Sequence, residues 1–250
     1  MIRQSTCLFV LTLCLSLFVF ISDGHSAKEP NTCIYSDTIC IMSQTETSIE
    51  SISEPRWRNH AYRDLAVSHA FNDNIDKAVT LIEKIDNPDT QAMTVRAIGM
   101  ALAIHKDLDI ESYKSMFKKL DDFSKTITHE GARDIAYTYI AMAQAFAGLD
   151  DDAMTTTLAM NKPELKYKAL GETAEIQAER GNYAEAIKSM NAIKSNSFKN
   201  KSLGLVSDIF VKQNKFDLAY KTAIQITNAT KKANKLQKII NAQIGLNSSK

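Results

Sequence analysis

Glycine and proline are scarce in this chain, with 8 Gly and 4 Pro among 250 residues. The turns of β-proteins use both residue types, so an all-β fold is disfavoured. Apolar residues make up 44% of the chain and charged residues 24%, which excludes a wholly disordered protein and allows a sizeable core. The content of Ala, Lys, Glu, Gln, Met and Leu favours helices. The composition therefore predicts an all-α protein.

Motifs for catalysis or metal binding are also missing. The sequence has no phosphate-binding glycine loop, dinucleotide fingerprint, nucleophile-elbow serine or zinc-protease histidine pair. His60 and His69 are more than two helical turns apart, too far to bind one metal ion together. Asp150, Asp151 and Asp152 lack the glycine and distal acid of a calcium loop and are expected to cap a helix. We expect no catalytic residues, no metal and no cofactor.

Residues 1–27 have the layout of an export signal. Arg3 provides the positive end, an apolar run extends from Leu8 to Ile21, and small residues follow up to Ala27. The run of about 14 residues is short for a membrane span, although an uncleaved anchor is the alternative. We expect an exported protein, either periplasmic or secreted.

Residues 28–54 are rich in Ser, Thr and Glu without a sustained helical period, which predicts a flexible linker. Cys33 and Cys40 are the two cysteines that remain after removal of the signal. In an oxidising compartment they can form a small disulfide loop. Free thiols or an intermolecular bond are the alternatives.

Charge divides the chain into two parts. Residues 28–193 carry 26 acidic and 18 basic groups, a sum of −8, whereas residues 194–250 carry 2 acidic and 11 basic groups, a sum of +9. The basic end includes Lys231, Lys232, Lys235 and Lys238. These lysines are expected to form the solvated outer face of an end cap, or to contact an anionic surface or acidic protein patch. Without interleaved aromatics, nucleic acid is not an expected partner.

A repeat covers residues 55–250. Each predicted repeat unit has two helices, and one position in the second helix can be followed through five units. The last two intervals between these positions are equal, and the first two are longer. A small residue precedes each of these positions by the same number of residues. Small residues at matching places let two antiparallel helices approach closely. The series are Ala78, Tyr113, Ala153, Ala186 and Ala219, preceded by Ala66, Ala101, Ala141, Ala174 and Ser207. We predict helical hairpins at 56–87, 91–122, 131–161, 164–194 and 198–228, followed by a single capping helix at 229–246.

These small residues, together with Pro88 and Pro163 after two of the units, resemble the tetratricopeptide repeat (TPR) superfamily. The order Tyr62, Leu65, Ala66 in the first unit is similar to the first helix of that family. Tyr113 and about six extra residues near 122–130 depart from the pattern. The resemblance implies a right-handed solenoid of about five antiparallel hairpins.

The resemblance also implies a binding site on the concave face formed by the first helices. The positions involved are apolar in the first three units and charged in the last two. They include His60, Arg63, Val67, Phe71, Ile98, Leu102, His105, Met142 and Phe146. The alternative is that the apolar residues belong to the core between helices and that the register is off by one.

The expected function is that of an exported scaffold that binds a protein or peptide partner on this face. A secreted effector that uses the same repeats on target-cell proteins is one alternative. An accessory factor of a cell-wall enzyme is another. The oligomeric state is left open, since an exposed end helix can stack on another copy.

Overall fold

The computed structural model describes residues 33–105 and 107–245, and within them the fold is all-α without strands. The prediction of an all-α protein is confirmed. The expected export signal lies outside the described residues, as does the side chain of His105. The helices are α1 Thr38–Glu50, α2 Pro55–Phe71, α3 Ile75–Glu83, α4 Pro88–His105, α5 Ile110–Thr126, α6 Glu130–Phe146, α7 Asp150–Leu158, α8 Pro163–Glu179, α9 Tyr183–Ala192, α10 Asn196–Lys212, α11 Phe216–Ala223 and α12 Ala229–Gln243.

Helix α1 lies in the segment that was expected to be a linker, so that expectation is wrong for residues 38–50. Its start is fixed by Asp37, whose carboxylate accepts a hydrogen bond from the Cys40 N–H at 2.9 Å. Cys33 and Cys40 are joined by a disulfide within the chain. The helix has little apolar periodicity, but it buries Met42 and Ile49. Packing on the rest of the molecule therefore maintains a helix that the local pattern does not predict.

Ion pairs attach α1 to α3. The Glu46 carboxylate is largely buried and lies 2.8 Å from the ammonium groups of both Lys77 and Lys84. These two partners hold the pKa of Glu46 below its ordinary value, although burial alone raises it. The Glu46 side chain therefore connects α1 to the helices that follow.

The remaining helices alternate between two sets. The first helices, α2, α4, α6, α8, α10 and α12, contact one another in chain order. The second helices, α3, α5, α7, α9 and α11, each contact the first helix before them. Helix α5 has 17 residues, against 8 to 10 in the other second helices. The extra residues noted in the sequence near 122–130 therefore lengthen α5 and its exit.

Small residues lie where the two sets of helices meet. Ala66, Ala141, Ala174 and Ser207 of the first helices are almost fully buried, and so are Ala78, Ala153, Ala186 and Ala219 of the second helices. Larger side chains at these places would push the paired helices apart. The predicted close contacts are present at these positions.

Helix α4 departs from the predicted register. The small residue of α4 that corresponds to Ala66 of α2 is Gly99 and not Ala101. The interval from Ala66 to Gly99 equals the interval from Ala141 to Ala174 in the regular repeats. A Cβ on Gly99 would lie 3.5 Å from the Cβ of Ala143 and 3.6 Å from a methyl group of Leu120. The separation between Gly99 and Tyr113 is two positions longer than in the other pairs. The predicted α4 residues were found by counting back from Tyr113 by the separation seen in the other pairs. They were therefore placed two positions too late in the chain.

Buried polar side chains connect each of three first helices to a loop that lies further along the chain. Asn59 accepts a hydrogen bond from the Asp86 N–H (3.3 Å), Asp134 from the Lys162 N–H (2.8 Å), and Asn200 from the Thr227 N–H (2.9 Å). Asn59, Asp134 and Asn200 occupy the same place on α2, α6 and α10. They satisfy backbone groups just before the next first helix, which is α4, α8 and α12 in turn.

Asp134→Ala is expected to lower the free energy of unfolding by about 2 kcal/mol, because it removes the buried acceptor of the partly buried hydrogen bond from the Lys162 N–H. Asp134 is 1% exposed. The exposed Asp64→Ala on α2 is the matched control and is expected to change stability by less than about 0.5 kcal/mol. Urea unfolding followed by circular dichroism measures both. Equal effects of the two substitutions would contradict this role of Asp134.

Candidate functional site

The first helices leave one row of positions that is not packed under the second helices, and we call this row the first-helix face. On α2 it consists of His60, Arg63, Val67 and Phe71, three of them half-buried and Phe71 38% exposed. His60 lines a cleft of about 520 Å³ at the start of α2. The Arg63 guanidinium pairs with Asp64 at 3.0 Å. This end of the face is therefore partly polar.

Two predicted binding residues of α4 are not on this face. Ile98 is 0% exposed and Leu102 is 2% exposed, so both belong to the core. The alternative that the apolar residues belong to the core is correct for this helix, but the register is shifted by two positions and not by one. Ile98 and Leu102 occupy the places that Leu65 and His69 have on α2, one repeat earlier.

The corrected register places Met93, Arg96, Met100 and Ile104 on the first-helix face of α4. Met93 is 37% exposed and Ile104 is 53% exposed. The Arg96 guanidinium lies 4.5 Å from the ring centroid of Tyr139 on α6, a distance at which a cation is attracted by an aromatic face. The sequence prediction missed these residues, although the interval from Ala66 to Gly99, which equals that of the regular repeats, could have identified them.

Helix α6 continues the apolar surface. Met142 and Phe146 are half-buried and pack against a small cluster that includes Ala145, Ala153 and Ile176. Their remaining surface lies on the same side of α6, since residues four apart are one helical turn apart. Together with α4 they form an apolar patch across two neighbouring helices, which contact each other closely.

Helix α8 changes the character of the face from apolar to acidic. Burial, together with the smaller effects of the neighbouring Glu172 and Glu179 carboxylates, raises the pKa of Glu175 to about 7, although Lys201 of α10 opposes this shift. Glu175 occupies the place that Met142 has on α6, one repeat earlier. The carboxylate is therefore next to an apolar surface and is partly protonated at neutral pH.

On α10 the acidic residue of the face is paired with lysines of α12. Asp208 lies 2.6 Å from the ammonium group of Lys235 and 3.1 Å from that of Lys238, both on α12. The stem of Lys235 passes Gly204, where a Cβ would lie 3.1 Å from the Lys235 Cε. Lys235 was expected on the solvated outer face of an end cap, but it is half-buried beside Asp208, whereas Lys238 contacts Asp208 and stays exposed. Lys231 is exposed and Lys232 is half-buried.

Asp150, Asp151 and Asp152 lie in the first turn of α7, as expected, but the N-cap residue Leu149 makes no side-chain hydrogen bond that caps the helix. The Asp150 carboxylate instead accepts hydrogen bonds from Gln177 (3.1 Å), Arg180 (2.9 Å) and Asn182 (3.0 Å). Asp151 pairs with Lys188 at 2.6 Å. These carboxylates therefore connect α7 to α8 and α9, next to the turn at Gly181, which has a φ of +82°.

The described residues do not contain three His, Cys, Asp or Glu side chains grouped to hold a metal ion. None of the described helices combines the length and apolar character that a membrane span requires. The first-helix face is thus a surface with an apolar patch between basic and acidic borders. Such a surface can bury apolar side chains of another molecule and orient its charges.

Comparisons with known proteins add little. No family model matches the sequence, and no curated protein matches it. Among solved structures, the chain is similar to Ton1535 from Thermococcus onnurineus NA1, with 15% sequence identity and a TM-score of 0.38. The similarity covers 73% of this chain and 58% of the Ton1535 chain. This likeness is too low to carry an argument, and the resemblance to the TPR superfamily stays a prediction from the sequence.

Proposed function

We propose that the protein is an exported TPR-like scaffold that binds a protein or peptide partner on the first-helix face. In this proposal the helix pairs form a right-handed solenoid of about five hairpins with α12 as the cap, and the first-helix face is concave. The observation that carries the proposal is the apolar patch of Met93, Met100, Ile104, Met142 and Phe146, which extends over adjacent helices and remains partly exposed.

The borders of the patch indicate which partner fits it. Arg63 lies on the α2 side, and Glu172, Glu175 and Glu179 lie on the α8 side. A segment with apolar side chains in its centre, an acidic residue towards α2 and a basic residue towards α8 matches this order. An amphipathic helix or an extended peptide can supply such a sequence of side chains.

Met100→Glu and Met142→Glu are expected to reduce partner recovery at least about tenfold, because each places a charge in the apolar patch. The test is affinity capture from the native host after mild cross-linking, with partners identified by mass spectrometry. Leu158→Glu on α7 is the matched control, since Leu158 is apolar and 52% exposed but lies on a second helix. Unchanged recovery with both Met variants would overturn the proposed site. Circular dichroism verifies that each variant is folded.

The location in the cell is tested separately. Fractionation is expected to find the protein outside the cytoplasm and shortened at its N-terminus, as cleavage near Gly24 or Ala27 predicts. Presence in the medium favours the secreted effector, and retention in the envelope favours the periplasmic scaffold or an accessory factor of a cell-wall enzyme. An intact N-terminus in the cytoplasmic fraction would contradict export.

A further inference from the structure

A groove of about 540 Å³ lies between α11 and α12, away from the residues of the first-helix face. Phe216 and Tyr220 of α11 form one wall, and Leu236 and Ile240 of α12 form the other. Ile239 is 4% exposed and forms the floor. Tyr220 is 53% exposed and Ile240 is 48% exposed. The groove therefore combines a buried apolar floor with exposed apolar walls.

The position of the groove in the fold indicates the shape of its occupant. Each of the first helices α2, α4, α6, α8 and α10 is followed by a second helix that packs on it. Along the described part of the chain, no second helix follows α12. The groove is where such a helix would contact both α12 and α11. The apolar row that Leu236 and Ile240 form on α12 continues with Ile244, which is 63% exposed and lies one turn beyond Ile240. A helix with an apolar stripe fits this space.

Charge indicates the chemistry of the occupant. Asp217 lines the groove, and its exposed carboxylate pairs with Lys221 at 3.8 Å. Residues 194–250 as a whole carry a net charge of +9, and their other carboxylate, that of Asp208, pairs with Lys235 and Lys238. Lys232 lies one turn before Leu236 on the same side of α12. A second copy of the chain would bring two lysine-rich helices together, which like-charge repulsion disfavours. An acidic occupant is complementary.

We propose that the groove between α11 and α12 binds an amphipathic helix of a partner protein, with acidic residues beside its apolar stripe, in the position of a second helix. Burial of the apolar stripe against Tyr220, Leu236 and Ile240 supplies affinity, and the lysines supply orientation and selectivity. A flat anionic membrane would contact the exposed walls but not the buried floor at Ile239. The groove rests on different residues from the first-helix face, so this inference stands or fails separately from the proposed function.

The test uses two displayed libraries of helical peptides of about 18 residues with the same apolar stripe. One library has Asp and Glu beside the stripe, and the other has Lys and Arg. Selection on the purified full chain is expected to enrich the acidic library at least about tenfold over the basic one. Ile240→Glu is expected to abolish the enrichment and Lys232→Glu to reduce it. The control Leu158→Glu is expected to leave it unchanged, with circular dichroism verifying the fold of every variant.

Three results would overturn the proposal. The first is that neither library is enriched, or both are enriched equally. The second is a concentration-dependent dimer of the protein alone that Ile240→Glu dissociates, which would assign the groove to a second copy. The third is co-sedimentation with phosphatidylserine vesicles that Ile240→Glu removes while no peptide is enriched, which would assign the surface to a membrane.

Discussion

Phe210→Ala is expected to lower the free energy of unfolding by about 3–5 kcal/mol, because the missing ring leaves a cavity that the surrounding helices cannot fill. Phe210 is 0% exposed on α10, and its ring centroid lies 5.7 Å from that of Tyr183 on α9. It occupies the place that Gln144 and Gln177 have on α6 and α8. There the glutamines accept hydrogen bonds from Thr156 and Ser189, both at 2.8 Å. Apolar packing at Phe210 thus replaces a buried hydrogen bond.

Urea unfolding measures the effect, and Phe198→Ala on the same helix is the control. Phe198 is half-buried, and a loss of about 1 kcal/mol in the free energy of unfolding is expected for Phe198→Ala.

Hydrogen exchange shows which helices lose protection in Phe210→Ala. Phe210 belongs to an apolar cluster formed by α8 to α12, separate from the cluster that extends from α1 to the start of α8. Protection in Phe210→Ala is expected to fall in α9 to α12 first. Equal losses for the two Phe variants would contradict the assignment of Phe210 to the core.

Glu175→Gln is expected to raise the free energy of unfolding at pH 8 by up to about 3 kcal/mol, since each pH unit of pKa shift corresponds to about 1.4 kcal/mol. The pKa of Glu175 is about 7 in the folded chain, against an ordinary value of 4.5. A raised pKa means that the folded state prefers the protonated acid. The wild-type protein therefore loses stability as the pH rises from about 4.5 to about 7. Glutamine cannot ionise, so the variant lacks this loss.

The measurement is a series of urea titrations between pH 4.5 and pH 8. The stability difference between Glu175→Gln and wild type is expected to grow with pH and to level off above about pH 7. Glu83→Gln is the control, because Glu83 is an exposed carboxylate at the end of α3. A difference that is constant across this range, or equal to that of the control, would show that Glu175 is not desolvated.

The sequence predicted the helices well where the spacing of small residues is constant. Ala141, Ala174 and Ser207 follow one another at equal intervals, and the structure buries all three. The spacing fails at α4, because the two additional residues lie between Gly99 and Tyr113 rather than outside the pair. A spacing counted on second helices alone cannot show on which side of a loop an insertion lies. Ile98 and Leu102 were therefore assigned to a surface although they are core.

Other features could not be predicted because they depend on contacts between distant residues. Helix α1 has little apolar periodicity, and its packing against α2 and its Glu46 ion pairs with Lys77 and Lys84 do not appear as a local pattern. The sequence identified Lys235 and Lys238 as charged cap residues, but only the adjacent Asp208 shows that they face α10. The desolvation of Glu175 likewise arises from neighbouring helices. On α2 and α6 the predicted residues are half-buried or exposed, and their role in binding stays a prediction.

The polar links between helices have a consequence for the kinetics of folding. The Gln177 and Ser189 side chains are 12 residues apart, Asp134 and Lys162 are 28 apart, and the Glu46 to Lys84 contact spans 38. Contacts between residues close in sequence have a small loop-closure cost, so such chains fold fast and can start at several places. If the chain leaves the cytoplasm unfolded and N-terminus first, α1 to α3 can assemble before α12 has emerged.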